Sequence, residues 1–380
     1  MSLMLLLSAY YMRQNMYDLF LAGHIILSIV FFVTLWYHVR IFDGEFNYFL
    51  YPCIAIWILD RLLRIKRVIQ STPRGIRATA VYNHESGLVR LDVTDMISHK
   101  EIVPGHFYFV YLPAGLRGYE SHPFTLCSWK RSEESSTTSA SLSTPDPQEK
   151  WPKDSDANGE DDESKVGLLS QNNSNTKIAH TFLIRPYNGM TGRLRRKLML
   201  SEGLSAKKQM TVFLEGPYGE RLNLSGYSDV LFICGGAGIA TAISHSYSLQ
   251  NTPTKIHIVW AVQQQHLPDD GCAHELKAAL QDGTIDLTVH LTGSRDSSEE
   301  SKQIEMESLS NSQREPAYEL KLGRPDIEST MRQYRKRASQ SLAIVTCGTA
   351  QLSDACRKAA VAVLAETGVH VGYYNQTLMW

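Results

Sequence analysis

The pattern of hydrophobic positions separates an apolar N-terminal part from a longer part in which short apolar runs alternate with polar segments. Residues 19–37 are apolar apart from one histidine, one serine and one threonine, and an apolar helix of that length crosses about 30 Å of hydrocarbon. A second apolar run covers residues 48–59. Residues 1–11 are apolar but too short to span, and they lack the features of a cleavable signal peptide. The pattern therefore predicts membrane helices over residues 1–70.

Positive charges at the ends of these helices predict their orientation. Arg13 precedes the first long apolar run, and a cluster of Arg and Lys at residues 61–67 follows the second. Because cytosolic loops carry an excess of Lys and Arg, both of these ends are expected on the cytosolic side. The chain after about residue 66 is therefore predicted to be cytosolic, with the loop at residues 40–47 on the other side of the bilayer.

Two histidines, His24 and His38, lie in or at the edge of the first long run. Their spacing of fourteen residues returns them to within about 40° of the same helix face and separates them by about 21 Å along the axis. Imidazole is an axial ligand of haem iron, and ionisable groups inside a bilayer are candidates for function. Alternatively, His24 bonds a neighbouring helix and His38 lies at the interface beside two aromatic residues. The spacing alone leaves both interpretations open.

Past the basic cluster, β-rich segments at residues 77–81, 88–93 and 106–112 are separated by Gly, Pro, Asn and Asp. This pattern predicts a small antiparallel β-barrel over residues 71–225. Residues 132–176 interrupt it with a polar, acidic stretch that has too few apolar residues to fold, so we expect a disordered insertion in a loop. The strand pattern resumes at residues 178–185.

From residue 229 onward, short apolar strands alternate with helical segments, which predicts a doubly wound α/β domain over residues 226–380 with a second acidic insertion at 294–320. Cofactors bind such sheets at the carboxyl ends of the strands. The strands are predicted at 230–234, 256–262, 285–291, 342–346 and 369–373, and the helices at 241–248, 274–280 and 353–366.

The net charge of −1 and mean hydropathy of −0.21 for the 380 residues are averages over unlike segments. Residues 132–164 carry ten Asp and Glu against two Lys and Arg, and residues 294–319 carry seven against three, so the rest of the chain is basic. A basic body suits a membrane surface or a phosphate-bearing cofactor. It lacks the motifs of a nucleic-acid-binding protein, so we expect no nucleic-acid partner. The six cysteines show no spacing typical of zinc sites or disulfide frameworks.

Three glycine-containing turns carry the candidate chemistry. Gly235, Gly236 and Gly238 follow a predicted strand and precede a helix, where glycines allow a pyrophosphate to approach backbone N–H groups. Cys347 and Gly348 follow another strand in the same way. Residues 215–219 follow a third strand and are expected to form the tight turn between the barrel and the sheet. Such turns are common one by one, but their order along the chain is far more specific.

In that order, the motifs resemble the fungal ferric reductase (ferric-chelate reductase transmembrane component) family, which belongs to the same superfamily as the NADPH oxidases. The resemblance covers nearly the whole chain outside the two acidic insertions. It rests on His24 and His38, His122-Pro123-Phe124-Thr125, Gly216-Pro217-Tyr218-Gly219, Gly235-Gly236-Ala237-Gly238, Gly323-Arg324-Pro325, Cys347-Gly348 and Trp380.

The resemblance implies a ferredoxin reductase-like pair of domains that bind FAD and NADPH, with site residues in five groups. It implies FAD contacts along the isoalloxazine and ribityl chain from His122, Pro123, Phe124 and Thr125, and near the flavin pyrophosphate from Arg185, Gly189 and Thr191. It implies NADPH pyrophosphate contacts from Gly235, Gly236 and Gly238. It places Gly216, Pro217, Tyr218, Gly219, Cys347 and Gly348 beside the nicotinamide, and Trp380 over the flavin, with Cys347 and Trp380 as the catalytic candidates.

The function implied by the resemblance is transfer of electrons from cytosolic NADPH through FAD and haem b to ferric chelates across the plasma membrane. His24 and His38 would supply one ligand to each of two haems. The second histidine pair of the family is absent, so helices upstream of residue 1 or a partner would have to supply it. The alternatives are a superoxide-generating NADPH oxidase, or a non-catalytic membrane-anchored relic.

Two departures from the family bear on nucleotide binding. Three glutamines at residues 263–265 follow a predicted strand where a cation for the NADPH 2′-phosphate is expected. Residues 375–379 replace the acidic and Phe positions that usually precede the terminal Trp. The choice of NADPH over NADH therefore follows from the resemblance rather than from these residues.

Overall fold

The structure is a computed structural model, and it describes residues 17–43, 45–72, 75–84, 86–97, 102–113, 120–132, 177–187, 189–200, 206–250, 252–263, 276, 285–293 and 318–376. Several predictions fall outside these residues. They concern residues 1–16, the insertions over 133–176 and 294–317, the helix at 274–280 apart from residue 276, and Trp380.

Two long helices form the N-terminal part. Helix α1 (Tyr17–Val39) is followed by a short 3₁₀ turn and by helix α2 (Asn47–Ser71), and the rings of Trp36 and Tyr51 lie 5.9 Å apart between them. In α1 the hydroxyl groups of Ser28 and Thr34 donate to carbonyls one turn back, so these polar groups are satisfied without water.

Among the described helices, one segment is long and apolar enough to cross a membrane by length and composition. It is Ala22–Val39, with a mean hydropathy of 1.7 and none of its residues buried. Helix α2 begins equally apolar but continues through the basic residues 61–67 without a break. The span predicted for residues 48–59 is thus the first half of a longer helix whose second half is charged.

Six strands in the described part of the chain close into an antiparallel barrel in the order β1-β2-β5-β4-β3-β6. Alternate residues of each strand point into the barrel, where Ala80, Leu91, Phe182 and Leu214 are fully buried. The strands are β1 (Ile76–Tyr82), β2 (Val89–Ile97), β3 (Phe107–Tyr111), β4 (Ser121–Ser132), β5 (Lys177–Ile184) and β6 (Ala206–Tyr218).

Helix α3 (Met190–Met199) connects β5 to β6 and was not anticipated from the sequence. Its apolar residues Leu194 and Leu198 pack into the barrel core. Its other face carries a run of exposed cations, among them Arg195 and Arg196. The helix is short and mostly polar, so it was not recognised from the sequence although its few apolar residues lie on one face.

The second domain is a parallel sheet in the order β10-β9-β8-β7-β11-β12, with helices α4 (Ile239–Leu249), α5 (Ile327–Arg337) and α6 (Ala350–Leu364) packed on it. This order and the barrel confirm the predicted fold class. The strands are β7 (Asp229–Gly235), β8 (Lys255–Val262), β9 (Ile285–Leu291), β10 (Glu319–Leu322), β11 (Ser341–Cys347) and β12 (His370–Asn375).

Two expectations about segment boundaries are wrong. The segment at residues 215–218 is not a turn but the end of β6, since Tyr218 still pairs with Phe107 of β3, and the chain leaves the barrel only at Gly219. The second acidic insertion does not reach residue 320, because β10 already begins at Glu319 and pairs with β9. The domain limits at residues 71–225 and 226–380 remain predictions.

A buried carboxylate joins α2 to the barrel. The hydroxyl of Tyr111 donates to Glu215 at 2.5 Å and that of Tyr218 donates to the same carboxylate at 2.6 Å, while Arg67 of α2 donates to the Tyr218 hydroxyl at 3.4 Å. Burial, and then the hydrogen bond to Glu215, raise the pKa of Tyr111 to about 12. Both tyrosines are therefore fixed as neutral donors at physiological pH.

The Glu215→Gln variant removes the charge that these two hydroxyls bind and leaves the side-chain shape almost unchanged. Because hydrogen bonds to a charged acceptor contribute more than those to a neutral one, we expect a loss of about 2 kcal/mol of stability. Thermal unfolding of the full chain in detergent measures it, with Glu220→Gln at an exposed site as the matched control. Equal melting temperatures for the two variants would show that the carboxylate does not support the barrel.

The barrel core also contains an imidazole. His180 is fully buried, with its Nε2 atom 3.4 Å from the Tyr108 hydroxyl, and burial lowers its pKa from 6.5 to about 4. The unfolded chain therefore binds a proton between pH 6.5 and 4 that the folded chain excludes. Stability is expected to fall as the pH drops through this window, by about 2 kcal/mol at pH 5 for this one group.

Unfolding temperatures of the full chain measured from pH 7.5 to pH 4.5 test this expectation. The His180→Gln variant should show a flatter pH dependence than the wild type, since its buried amide does not titrate. The exposed His84 serves for comparison, and His84→Gln should retain the wild-type slope. A wild-type profile that is flat below pH 6.5 would contradict the proposed role of His180.

Candidate functional site

The carboxyl ends of β7 and β11 meet at the point where the direction of the strand order reverses. Strands β8, β9 and β10 extend the sheet on one side of β7, while β11 and β12 extend it on the other. In open parallel sheets, ligands bind in the crevice outside such a switch point. The two glycine turns predicted from the sequence, Gly235–Gly238 and Cys347-Gly348, both emerge here.

These two turns touch through their backbones. A Cβ atom placed on Gly238 would lie 2.5 Å from the carbonyl oxygen of Cys347, and one placed on Gly348 would lie 3.0 Å from the amide nitrogen of Gly235. No L side chain fits at either position without moving the chain. The glycines are therefore required for the close approach of the turns that follow β7 and β11.

The first turn of α4 has the donor set for an anion. Gly238 is its N-terminal cap, and no described side chain caps the turn, so backbone N–H groups are available at the positive end of the helix dipole. The indole of Trp260 donates to the carbonyl of Gly236 at 2.8 Å and fixes the turn in position. The chemistry of this turn fits a pyrophosphate.

The thiol of Cys347 is buried against α4 and the end of β12. The hydroxyl of Thr241 donates to its Sγ atom at 3.1 Å, and Sγ is 3.4 Å from the carbonyl oxygen of Gln376, to which it donates. Burial raises the pKa of this thiol, so it is protonated at neutral pH. A neutral thiol in this place can pack against a ligand or donate to it, but it is not a thiolate nucleophile.

The segment predicted to contact FAD lies on β4. Pro123 is buried, Phe124 packs against the barrel core, and His122 and Thr125 are partly exposed. The four residues His122-Pro123-Phe124-Thr125 pair with β3 in regular antiparallel register. The sequence segment is thus held rigidly on a barrel strand, with alternate side chains on opposite faces.

Strand β4 packs directly against α4, so the predicted flavin segment and the dinucleotide turn belong to one packed unit. Cys127 of β4 shares a buried cluster with Ile239 and Ile243 of α4, and the rings of Trp129 and Tyr247 lie 6.1 Å apart. The helix that begins at the dinucleotide turn therefore runs along the strand that carries the flavin segment.

The N-terminus of α3 holds Gly189 and Thr191 as predicted neighbours of the flavin pyrophosphate. Gly189 has a φ of +73°, and the Thr191 hydroxyl accepts from the N–H of Tyr187 at 3.0 Å. A Cβ atom on Gly192 would lie 2.3 Å from the carbonyl oxygen of Tyr187, so the chain approaches itself closely here. No acidic residue lies in the first turn, which is consistent with an anion at this helix end.

Arg185 reaches from the end of β5 towards the sheet domain. Its Nη2 atom donates to Oε1 of Gln263, which follows β8, at 2.8 Å, and its Nη1 atom lies 3.2 Å from where a Cβ atom of Gly236 would be. The guanidinium carbon of Arg185 also lies over the ring of Tyr187, 5.8 Å from the ring centroid. The structure thus places this guanidinium beside the dinucleotide turn, at the boundary between the two predicted phosphate sites.

The segment Gly216-Pro217-Tyr218-Gly219 lies between α2 and the loop before β3. The Tyr218 side chain turns towards Arg67 and Glu215, whereas Gly219 approaches Gly105. A Cβ atom on Gly216 would be 2.8 Å from the ring of Tyr108, so this backbone too requires glycine. The structure does not orient the Tyr218 hydroxyl towards Cys347.

Gly105, Ser244 and His245, which the sequence did not single out, lie where the barrel meets α4 and the residue after β12. The N–H of Gly105 donates to the Ser244 hydroxyl of α4 at 3.2 Å, and a Cβ atom on Gly105 would lie 2.7 Å from Oε1 of Gln376 and 2.8 Å from Nε2 of His245. Burial lowers the pKa of His245 to about 4, so its ring is neutral. No motif marks these positions, because they come together only through packing.

The two histidines of α1 are exposed. His24 and His38 both lie on the surface of the described chain, with the ring of Phe20 5.6 Å from that of His24. No group of three or more His, Cys, Asp or Glu side chains that could hold a metal ion is present among the described residues.

Known proteins are similar in sequence to almost the whole chain. Residues 227–361 match the family described as Ferric reductase NAD binding domain. The chain is 26% identical over 391 residues to Ferric/cupric reductase transmembrane component 2 of Saccharomyces cerevisiae, a match that covers 97% of this chain and 47% of that protein. It is 24% identical over 392 residues to the Probable ferric reductase transmembrane component of Candida albicans, a match that covers 97% of this chain and 50% of that protein.

A solved structure similar to this chain is the cytochrome b5 reductase domain of Ulva prolifera nitrate reductase. The similarity covers 79% of this chain and 97% of that chain, at 12% sequence identity and a TM-score of 0.43. The chain spans about half the length of the curated relatives it matches. Over 97% of its length it is similar in sequence to fungal ferric reductase transmembrane components, and its residues 227–361 match the ferric reductase NAD-binding domain family.

Proposed function

We propose that this chain is the electron-input part of a membrane ferric reductase, which takes electrons from NADPH and passes them through FAD towards ferric chelates. Two curated relatives that match 97% of the chain are named as ferric or ferric/cupric reductase transmembrane components. We assign to this chain the ferric reductase activity that those names give to the relatives. The proposal places the barrel and the sheet on the cytosolic face of the plasma membrane.

One observation supports the proposal above all others. Helix α4 begins at the turn that fits a nucleotide pyrophosphate, and the same helix packs along β4, which carries His122 to Thr125. Two binding sites on different domains are therefore held at a fixed separation by one helix. A non-catalytic anchor would have no need of this coupling, because it does not have to bring two ligands together.

Each part of the proposed site has a separate physical task. The first turn of α4 would bind the NADPH pyrophosphate through its N–H groups, and the uncapped start of α3 would bind that of FAD. The strand segment His122 to Thr125 would contact the flavin from the barrel side. Cys347, protonated and held by Thr241, would pack beside the nicotinamide and exclude water from it.

The flavin supplies the chemistry that the protein lacks, since it accepts a hydride as two electrons and releases electrons singly to one-electron acceptors. The protein chain would position the flavin and the nucleotide relative to each other. Glycines at 235, 238 and 348 allow the two turns to approach, and the Tyr111, Tyr218 and Glu215 network holds the barrel against α2. The barrel and α2 are therefore in direct contact through this network, which Arg67 of α2 joins at the Tyr218 hydroxyl.

We further propose that His24 and His38 would each supply one imidazole to a haem, one at each level of the bilayer. Both side chains are exposed on one helix, where they can face a neighbouring element. They are the only histidines among the described residues of α1 and α2, so a second imidazole for a haem at either level would have to come from another element.

The Gly238→Ala variant tests the nucleotide site. Its Cβ atom would lie 2.5 Å from the carbonyl oxygen of Cys347 and force β7 and β11 apart, so we expect NADPH-dependent dye reduction to fall at least tenfold. Bound FAD should be retained, because the barrel holds it. The control is Gly226→Ala, whose Cβ atom would meet nothing within 4 Å and which should keep wild-type activity. Equal activity in both variants would argue against a nucleotide at this turn.

The 380-residue chain expressed alone tests the cofactors. We expect it to bind FAD and to reduce an artificial dye with NADPH, and to show no b-type haem absorbance, because α1 and α2 supply one imidazole at each level. Absorbance spectra of the purified chain before and after addition of NADPH measure both expectations. A clear haem spectrum from this chain alone would refute the ligand assignment.

The electron acceptor is tested with the complete protein in membranes, by comparing reduction of a ferric chelate with consumption of O₂. Reduction of the chelate with little superoxide supports the ferric reductase. Reduction of O₂ but not of the chelate would instead identify a superoxide-generating oxidase. No reduction of any acceptor despite bound FAD would favour a non-catalytic relic.

A further inference from the structure

An open, polar cleft of about 220 Å³ lies between the barrel and the carboxyl edge of the sheet. Segments from both domains line it: the turn after β1, the residues after β5, helix α3, the dinucleotide turn and the residue after β8. The lining includes His84, Ser86, Arg185, Arg195, Gly236 and Gln263. Neither Arg195 nor the β1–β2 turn belongs to the flavin and nucleotide contacts described above.

The cleft is positively charged. Arg185 and Arg195 bring two guanidinium groups to it, and among the described residues no carboxylate contacts either of them. The polar contact of the Arg185 guanidinium is to the neutral amide of Gln263. Glu85, between the lining residues His84 and Ser86, lies outside the described residues. Two cations without a described counter-ion, converging on one cleft, fit a ligand that carries at least one negative charge.

The position of the cleft identifies which part of a dinucleotide it faces. Gln263 directly follows β8, which is the neighbour of β7 in the parallel sheet. In dinucleotide-binding folds, the end of this second strand lies next to the 2′ position of the adenosine ribose. An acidic residue there binds the 2′-hydroxyl of NADH, and a nearby arginine binds the 2′-phosphate of NADPH.

We propose that Arg185 and Arg195 form the binding site for the 2′-phosphate of NADPH and thereby select NADPH over NADH. The three glutamines at residues 263–265 carry no positive charge for the 2′-phosphate. Arg185 at the end of β5 and Arg195 of α3 provide that charge from the barrel domain. Gln263 holds the Arg185 guanidinium at the end of β8 through the 2.8 Å hydrogen bond. This inference rests on the proposed function in that NADPH is taken as the electron donor.

The guanidinium suits this task because its planar donors bind two phosphate oxygens at once. Arg185 lies close to Gly236 of the dinucleotide turn, so a pyrophosphate on the first turn of α4 and a 2′-phosphate in the cleft can be held by adjoining groups. The same chemistry could bind the pyrophosphate of FAD. The contact with Gln263, on the sheet domain, favours the nicotinamide nucleotide.

Equilibrium binding of two probes to the FAD-loaded full chain in lipid nanodiscs tests the proposal. The probes are adenosine 2′,5′-bisphosphate, which carries the 2′-phosphate, and 5′-AMP, which lacks it. We expect Arg185→Gln to weaken the bisphosphate on the order of 10- to 100-fold and 5′-AMP by no more than about twofold, with unchanged FAD content. Arg195→Gln should act in the same direction.

The matched control is Arg196→Gln, because Arg196 lies on the same helix, is exposed and does not line the cleft. It should bind both probes as the wild type does. The Gln263→Glu variant provides the opposite change, since a carboxylate repels the 2′-phosphate and accepts from a 2′-hydroxyl. It should raise KM for NADPH and lower KM for NADH.

Three results would overturn the proposal. Equal weakening of both probes by Arg185→Gln would place this residue on the pyrophosphate, and loss of FAD with unchanged probe binding would place it on the flavin. No change in either quantity would show that the cleft holds no phosphate. The proposed function is tested separately: failure of the wild type to oxidise either nucleotide, with Arg185-dependent bisphosphate binding intact, would reject the function and keep the site.

Discussion

The contact of α4 with β4 is the interaction on which the site depends. Buried residues of the barrel, Leu88, Cys127 and Leu183, belong to the same apolar cluster as Ile239 and Ile243 of the sheet domain. The two domains therefore share a core at this contact, rather than meeting through a polar surface. A shift of one domain against the other would open cavities in this buried cluster, and cavities cost free energy. The cluster therefore holds the cleft between the domains in one geometry.

The backbone, rather than any catalytic side chain, shapes the carboxyl edge of the sheet. Gly238 and Gly348 let two turns touch without side chains between them, and this leaves the N–H groups of α4 exposed to a ligand. The nearby ionisable groups are kept uncharged by burial, as for His245 and Cys347. The charged guanidinium of Arg185 reaches this region from the barrel. The domain that would hold the flavin would therefore also contribute to nucleotide recognition.

The sequence predicted most of the secondary structure because the relevant signals are local. The strands β7, β8 and β11 are continuous apolar runs, and α1 is an apolar helix of membrane length, so each could be identified from neighbouring residues alone. Helix α3, strand β10 and helix α5 were missed. The strand has only four residues, and the two helices are short and mostly polar, although their few apolar residues lie on one face.

The sequence by itself determined the class of fold, the order of the domains and the two glycine turns of the sheet, since composition, alternation and glycine placement act within a few residues. Only the tertiary structure decided that residues 215–218 end a strand, that Gly105, His245 and Gln376 meet, and that Arg185 lies against Gln263. These contacts join positions about 80 to 270 residues apart in the chain. Their formation depends on strand register and on the packing of α4 against the barrel, which no local pattern encodes.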